Sequence, residues 1–243
     1  MFNPRKAHRQ IAAAGLIGFP LAGLAAALLD SNEGTDTPGA ELYAIASTHG
    51  DAILASGLIF MLSAVLVVPA AAAVVHLVRG RGATPALIGS GFLVLGGFGH
   101  MGFATWQVIL STVPHDADRA AMSAFLDRQQ SVTTPVLLPL LLSIALGVLL
   151  QAIALRRARL VPGWFLAGTI VLLGFDLVMN STSLESWKLP IVFVWASLTA
   201  LYGYFGVRVL AMGDERWATP APVEIAPVAA AARCRLTRAG SGS

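Results

Sequence analysis

The stretch Gly96–Gln107, GGFGHMGFATWQ, places His100 and Gln107 in the middle of a long apolar segment. A second stretch, Gly174–Ser183 with the sequence GFDLVMNSTS, does the same with Asp176. Ionisable and amide side chains are costly inside a bilayer, so residues of this kind usually face a protein interior and have a function. The two stretches therefore predict a membrane protein with a polar site inside it.

The composition supports this class of protein. Of the 243 residues, 56% are hydrophobic and only 12% are charged, which is too little charge to cover a soluble domain of this length. The net charge is +3, but the basic residues lie in short segments between apolar ones, where they orient a membrane protein and do not indicate a nucleic-acid partner. The single cysteine, Cys234, excludes an intrachain disulfide and a CxxC centre.

Six apolar segments are long enough to cross a membrane, since about 20 helical residues span a core of roughly 30 Å. They predict an all-α, six-transmembrane-helix bundle over residues 1–212, followed by a disordered cytoplasmic tail over 213–243, which is rich in Ala, Pro and Arg. The predicted spans are about 11–29, 52–78, 85–113, 133–155, 161–183 and 189–212.

The distribution of charge predicts that both termini are cytoplasmic. With this orientation, thirteen of the sixteen Lys and Arg residues lie inside, and the outer segments hold only Arg119, Arg128 and Lys188. Residues 30–51 are expected to form an acidic outer loop. The polar segment 114–132 is expected to contain a short interfacial helix.

Helical periodicity places the polar residues of two spans on narrow stripes. Spans three and five run in the same direction, and His100 and Asp176 lie at similar depth. Contact between them is therefore expected if the two helices are neighbours. The stripe of span three holds Gly96, His100, Gln107 and Ser111, and that of span five holds Thr169, Asp176, Asn180 and Ser183.

Each candidate has a functional and a structural interpretation. Asp176 is the candidate general acid or proton relay, and otherwise it hydrogen-bonds its neighbours and locks the bundle. His100 would orient Asp176, carry protons or bind a metal, and otherwise it donates to a carbonyl. Gln107 and Asn180 fit interhelical hydrogen bonds better than chemistry. No metal or cofactor is predicted, because no zinc or nucleotide motif occurs and only His100 is deep enough for a haem ligand.

Aromatic residues at this depth are candidates for lining a substrate site, since their faces stabilise cations, although each alone fits packing equally well. The glycines around His100 indicate either close helix packing or room for a ligand, and packing is favoured. The candidate lining residues, with the two amides, are Phe98, Phe103, Trp106, Gln107, Phe175, Asn180 and Trp195.

Three short motifs carry a resemblance to a known group. LYAIASTHGD (42–51), GGFGH (96–100) and LDR (126–128) are similar to a group of small six-span membrane proteins of actinobacteria, over about residues 8–212. The size and the lone buried acid also resemble the membrane-bound terpene cyclases. That resemblance implies a carboxylic acid, here Asp176, that protonates an alkene or epoxide of an isoprenoid without a metal. The chain departs from a two-carboxylate site, because Glu185 lies at the membrane boundary.

Three functional hypotheses follow for a protein of the bacterial plasma membrane whose partners are the bilayer and an apolar, isoprenoid-like molecule. The first is acid-catalysed isomerisation or cyclisation of that molecule, with Asp176 as proton donor. The second is a proton-coupled transporter or channel that uses His100 and Asp176, with Pro20, Pro135 and Pro139 as hinges. The third is a structural subunit in which the polar pair fixes helix register.

Overall fold

The computed structural model of the chain describes residues 3–30, 37–113, 118–181 and 188–218, without the side chains of Asn180 and Ser181. This part of the chain is helical and contains no strand. The elements are α1 (Pro4–Leu29), α2 (Gly39–Leu77), a 3₁₀ turn (Gly80–Gly82), α3 (Ala83–Ser111), α4 (Arg119–Arg157), α5 (Gly163–Ser181), α6 (Lys188–Ala211) and α7 (Asp214–Ala218).

Five of these helices are long and apolar enough to cross a membrane, namely α1, α2, α3, α4 and α6. Helix α5 is shorter, with an apolar stretch Gly163–Met179 that is roughly 25 Å long at 1.5 Å per residue. The fold is therefore an all-helical bundle of the kind that composition predicts for a membrane protein.

The helices follow one another around a ring. Each of α1 to α6 packs against the next helix in sequence, and α6 closes the ring against α1. Helices α2 and α4 also pack against each other. We call the end of the bundle where α1 begins and α2 ends the basic end, because it holds Arg5, Lys6, Arg79 and Arg156. The opposite end, where α1 ends and α2 begins, is the acidic end.

Glycines allow α3 and α4 to approach closely beside His100. A Cβ atom on Gly99 would lie 2.8 Å from the Leu140 Cβ and 3.0 Å from the Leu141 backbone nitrogen. Gly96 and Gly102 are covered in the same way by Ile144 and Leu137. The expectation that the glycines around His100 serve helix packing is confirmed at these positions.

Helices α2 and α4 are much longer than a membrane crossing requires. Each has 39 residues, which is about 58 Å and almost twice the roughly 30 Å core of a bilayer. The prediction of a loop is wrong for residues 39–51, which belong to α2 with a kink at His49. The predicted interfacial helix is not separate either, because residues 119–132 are continuous with α4 and Pro135 and Pro139 lie inside that helix.

A second buried cluster explains why these extensions are helical. We call residues 39–51 of α2 and 119–131 of α4 the acidic-end cap. The apolar side chains of the acidic-end cap are buried in a cluster separate from the main core. This burial stabilises the two extensions as packed helices instead of solvated loops. The cluster consists of Leu42, Tyr43, Ala46, Ile53, Leu110, Val113 and Leu126.

The chain after α6 is also more ordered than the sequence predicts. The predicted disordered tail begins with α7, whose Trp217 is buried. Its ring lies 4.4 Å from that of His76, and His76 Nε2 donates a hydrogen bond of 2.9 Å to the Trp217 carbonyl oxygen. An ion pair of 3.2 Å between Arg9 and Asp214 ties α7 to α1. Residues 219–243 lie outside the described residues.

Candidate functional site

His100 lies in the interior of the bundle among aromatic side chains. Its ring centroid is 5.3 Å from that of Trp195 and 5.7 Å from that of Phe60. Phe103 packs edge-on against Phe60 at 5.8 Å. We call His100, Phe60, Phe103 and Trp195 the His100 cluster. The distances between its ring centroids are typical of favourable aromatic pairs.

Four helices position this cluster. Phe60 comes from α2, His100 and Phe103 from α3, and Trp195 from α6. Helix α1 supplies the fourth side, because the Trp195 ring lies against the backbone of Gly23, where a Cβ would collide with it. The position of the Trp195 indole beside His100 therefore requires a glycine at position 23 of α1.

The His100 imidazole has a buried nitrogen without a partner. The residue is only 7% exposed, and among the described residues its Nδ1 forms no hydrogen bond. The other buried side-chain atoms of this kind, Arg9 Nε and Asp214 Oδ1, belong to the ion pair at the basic end. A buried polar group without a hydrogen bond costs about 1–3 kcal/mol. Such a group in a native protein calls for an explanation, and a functional role is one.

Gln107, in contrast, is fully engaged near the acidic end. Its Nε2 donates a hydrogen bond of 2.9 Å to Asp30 Oδ2 at the end of α1. The Ser56 hydroxyl of α2 lies 3.4 Å from Gln107 Oε1 and 3.0 Å from the Ala26 carbonyl oxygen. The amide therefore links α1, α2 and α3, as expected for a residue that holds helices together.

A second amide network, which the sequence did not single out, crosses the bundle toward the basic end. Gln151 of α4 is fully buried, and its Oε1 accepts a hydrogen bond of 2.9 Å from the Tyr202 hydroxyl of α6. Its Nε2 donates to Ser90 of α3 at 3.0 Å, and the Ser90 hydroxyl donates to the Ala71 carbonyl oxygen of α2 at 3.2 Å. The sequence feature that could have predicted this network is Gln151 itself, an amide side chain within an apolar segment.

Asp176 is on the inward face of α5 but not beside α3. The buried residues Phe165, Thr169 and Leu172 form a stripe that continues to the half-buried Asp176, which has an interaction partner of its own. Helix α5 packs against α4 and α6, while α3 packs against α2 and α4. Over the described residues, α3 and α5 thus share no extensive interface that would bring His100 to Asp176, and the imidazole meets aromatic rings instead.

The other predicted residues are distributed over three places. Phe103 and Trp195 belong to the His100 cluster, whereas Phe98 is 67% exposed on another face of α3. Trp106 packs against the buried cluster of the acidic end. Phe175 pairs edge-on with Phe193 of α6 at 4.8 Å, which joins α5 to α6. The side chain of Asn180 lies outside the described residues.

Full burial of side chains on α4, α5 and α6 ends level with His100, although Leu137 and Leu140 of α4 still contact glycines of α3. Toward the acidic end, α4 has no buried residue over 127–142, α5 has none over 173–179 and α6 has none over 188–194. Ser143, Leu172 and Trp195 are the first buried residues beyond these segments. We call these three segments the loose side. Since Gly99 contacts Leu140, His100 lies at the border of the loose side.

The described residues offer no ligand set for a metal, since no group of three or more His, Cys, Asp or Glu side chains comes together among them. Comparison of the chain with models of protein families, with curated proteins and with solved structures finds no match.

Proposed function

We propose that the protein is a multi-pass membrane protein that binds a lipid-soluble molecule at the His100 cluster. The observation that carries the proposal is the buried Nδ1 of His100, which has no hydrogen-bond partner among the described residues. A ligand with one polar group would hydrogen-bond this nitrogen and pack its hydrocarbon against Phe60, Phe103 and Trp195. Ligand sites commonly combine an apolar wall with a few polar groups.

The membrane in this proposal is the bacterial plasma membrane, crossed by α1 to α6, with both termini in the cytoplasm. The asymmetry of Lys and Arg supports this orientation, since Arg79, Arg81, Arg156 and Arg157 all lie at the basic end. The acidic-end cap would then stand outside the hydrocarbon core of the membrane. Fourteen of the sixteen basic residues are Arg, and Ala and Gly are abundant, which is typical of a GC-rich bacterial genome.

The loose side supports access from the lipid. Bilayer hydrocarbon surrounds α4, α5 and α6 in this placement, and a molecule dissolved in it would meet the loose side, none of whose residues is buried. An isoprenoid-like molecule is suited to such a site, because its chain is apolar and the rings of the His100 cluster pack well against unsaturated hydrocarbon.

A second candidate function adds a reaction to this binding. Its support is the inward-facing stripe that carries Asp176, together with the aromatic pair Phe175 and Phe193 beside it. Asp176, in its acid form, would transfer its proton to an alkene carbon of the bound isoprenoid and leave a carbocation beside the rings. Loss of a different proton from the cation to the carboxylate would restore the acid and give an isomerised or cyclised product.

Binding is tested with isoprenoid alcohols as probes. Farnesol and geranylgeraniol are titrated into the purified full chain in nanodiscs, and bound probe is measured by native mass spectrometry. We expect His100→Leu to bind about tenfold more weakly, because the hydrogen bond to a buried group is lost. Phe98→Leu, on the exposed face of the same helix, serves as the control and should bind as the parent chain does. Equal binding by both variants would refute the site.

The reaction is tested on the same samples by searching for isomerised products. Product that forms with the parent chain and with Asp51→Asn, an exposed acid, but not with Asp176→Asn would support acid catalysis. Product that persists in Asp176→Asn would eliminate the proposed acid. A pH-dependent flux in liposomes that His100→Leu abolishes would favour a transporter instead.

A further inference from the structure

A cavity of about 280 Å³ lies on the flank of α4 in the acidic-end cap. Its lining residues are Phe125, Arg128, Gln129 and Val132, which fall on one face of the helix at successive turns. Cavities that hold whole small molecules usually measure about 300–1,000 Å³. This one has the size of a polar headgroup and is separate from the His100 cluster.

Arg128 brings a positive charge to this cavity. Among the described residues, the Arg128 guanidinium forms no hydrogen bond and no ion pair. The adjacent carboxylate is engaged on the other side of α4, where Asp127 Oδ1 accepts a hydrogen bond of 2.6 Å from the Gly39 backbone N–H. The cavity therefore presents five N–H donors to an anion.

The position of Arg128 along α4 corresponds to the headgroup level of a bilayer. The helical rise from Arg128 to Arg156, the first of the basic residues that end α4, is about 42 Å. A bilayer measures roughly 40–45 Å when its headgroup regions are included. Two arginines at this separation would lie in the two headgroup layers.

Below Arg128, the same face of α4 is apolar and exposed. Val132 and Val136 are 62% and 63% exposed, and Pro139 continues the stripe into the loose side. The hydrocarbon chain of a lipid could pack against this surface while its headgroup occupies the cavity.

We propose that the cavity beside Arg128 binds the anionic, phosphate-bearing headgroup of a membrane lipid, whose chain lies along Val132, Val136 and Pro139. The inference rests on the proposed placement of the bundle in the membrane, but not on ligand binding at the His100 cluster. Arg128 bonds the phosphate, Gln129 donates from its amide, and Phe125 covers the glycerol or the first carbons of the chain.

The test compares two arginine variants of one helix. The full chain is purified in detergent and offered equal amounts of dioleoylphosphatidylglycerol and dioleoylphosphatidylcholine, and the retained lipid is identified by native mass spectrometry. We expect the parent chain to retain the anionic lipid preferentially. Arg128→Gln should lower that preference roughly fivefold, since one arginine near an anionic surface contributes about that much.

Arg119→Gln is the matched control, because Arg119 is also exposed on α4 but does not line the cavity. It should leave the preference unchanged. An equal loss in both variants would overturn the proposal in favour of diffuse surface charge, and an unchanged preference in Arg128→Gln would overturn it directly. Inorganic phosphate alone forms the last arm: if it displaces the lipid at equal concentration, the site takes free phosphate and the lipid proposal fails.

The same variant separates this inference from the proposed function. Arg128→Gln should bind farnesol in the nanodisc assay as the parent chain does. If Arg128→Gln does not change the lipid preference but the parent chain binds farnesol through His100, only the headgroup proposal is refuted. If His100→Leu loses farnesol binding but keeps the lipid preference, the two sites are independent and the result supports the His100 cluster alone.

Discussion

At the residue scale, His100 and Gln151 are two buried polar side chains with opposite hydrogen-bonding states. Gln151 uses both ends of its amide, toward Tyr202 and Ser90, whereas the Nδ1 of His100 has no partner in the described part of the chain. A satisfied polar group stabilises a bundle modestly, while an unsatisfied one lowers its stability. The two residues should therefore respond in opposite ways to replacement by leucine.

We predict that His100→Leu leaves the thermal stability of the bundle unchanged or raises it, by up to about 1 kcal/mol, because it removes an unpaired polar group from the interior. Gln151→Leu should lower stability by about 1–2 kcal/mol, since Tyr202 and Ser90 lose their partner. Thermal unfolding in detergent measures both. A large loss of stability in His100→Leu would instead show that the imidazole is structural.

The Tyr202–Gln151 hydrogen bond should contribute a measurable coupling. Tyr202→Phe, Gln151→Leu and the double variant form a double-mutant cycle, for which we expect about 0.6 kcal/mol and at most roughly 1.7 kcal/mol, the range found between membrane helices. Tyr204→Phe is the control on the same helix, because among the described residues its hydroxyl accepts only from Arg208, at 3.4 Å on an exposed side. Coupling near zero would mean that the bond is replaced when either partner is removed.

At this scale, the sequence predicted that His100 and Gln107 are inside but not what they touch. His100 and Gln107 lie on the predicted stripe of α3 and both are buried. Their partners are Trp195 of α6, Phe60 of α2 and Asp30 of α1, which lie far from them in the chain. Helical periodicity fixes the face of a residue on its own helix and holds no information about which helix covers that face.

At the element scale, the start of α2 depends on a carboxylate from α4. Pro38 at the N-cap forms no side-chain hydrogen bond, and Asp127 supplies the acceptor for the Gly39 N–H instead. Capping by Asp usually contributes about 1 kcal/mol, and a negative charge at a helix N-terminus is favourable. The first turns of α2 and the extension of α4 are thereby coupled.

We predict that Asp127→Ala loosens the acidic-end cap without unfolding the bundle. Amide hydrogen exchange over residues 39–46 should accelerate by about fivefold, which corresponds to the loss of one cap. Asp51→Ala, an exposed acid in α2, is the control and should leave exchange in that segment unchanged. Equal protection in both variants would show that the buried apolar cluster alone holds the first turns of α2.

Helix α7 depends on one buried indole. Trp217 contacts His76 by its ring and by its carbonyl oxygen, so Trp217→Ala should release residues 214–218 from the basic end. We expect faster hydrogen exchange in that segment with little change in the thermal unfolding of the bundle. Trp164→Ala removes an exposed indole from α5 and should have no such effect. Retained protection of α7 would assign its anchoring to Asp214 and Arg9.

The prediction of a loop at 39–51 failed because the acidic residues of that segment were weighted above its apolar spacing. Leu42, Tyr43 and Ala46 recur at helical intervals, and together they cover one face. That face is buried because α4 extends equally far at the acidic end and brings Leu126 against it. The helical extension of α2 therefore depends on that of α4. Analysis of each segment of the sequence by itself does not reveal this dependence.

At the scale of the whole molecule, the order of the helices around the ring separates what sequence can predict from what it cannot. Apolar length and charge predicted each of the long helices, since both are properties of one segment. Adjacency depends on which surfaces fit, and glycines such as Gly99 and Gly23 show their partners only in the folded bundle. The neighbours of α3 are consequently α2 and α4, and α5 lies one helix further around the ring.

The number of membrane crossings is decided by α5, because over the described residues its apolar stretch is shorter than a bilayer core. We predict that it crosses nevertheless, since Arg156, Arg157 and Arg159 hold its first residue at the cytoplasmic face. Reporter fusions after positions 81, 160 and 218 should be cytoplasmic, and fusions after 34, 116 and 186 external. If the fusions after 160 and 186 report the same side, α5 lies along the membrane and the bundle has five spans. In that case α6 would run in the opposite direction relative to the bilayer, which its antiparallel contact with α1, from Gly23 against Trp195 to Ile17 against Gly206, does not permit.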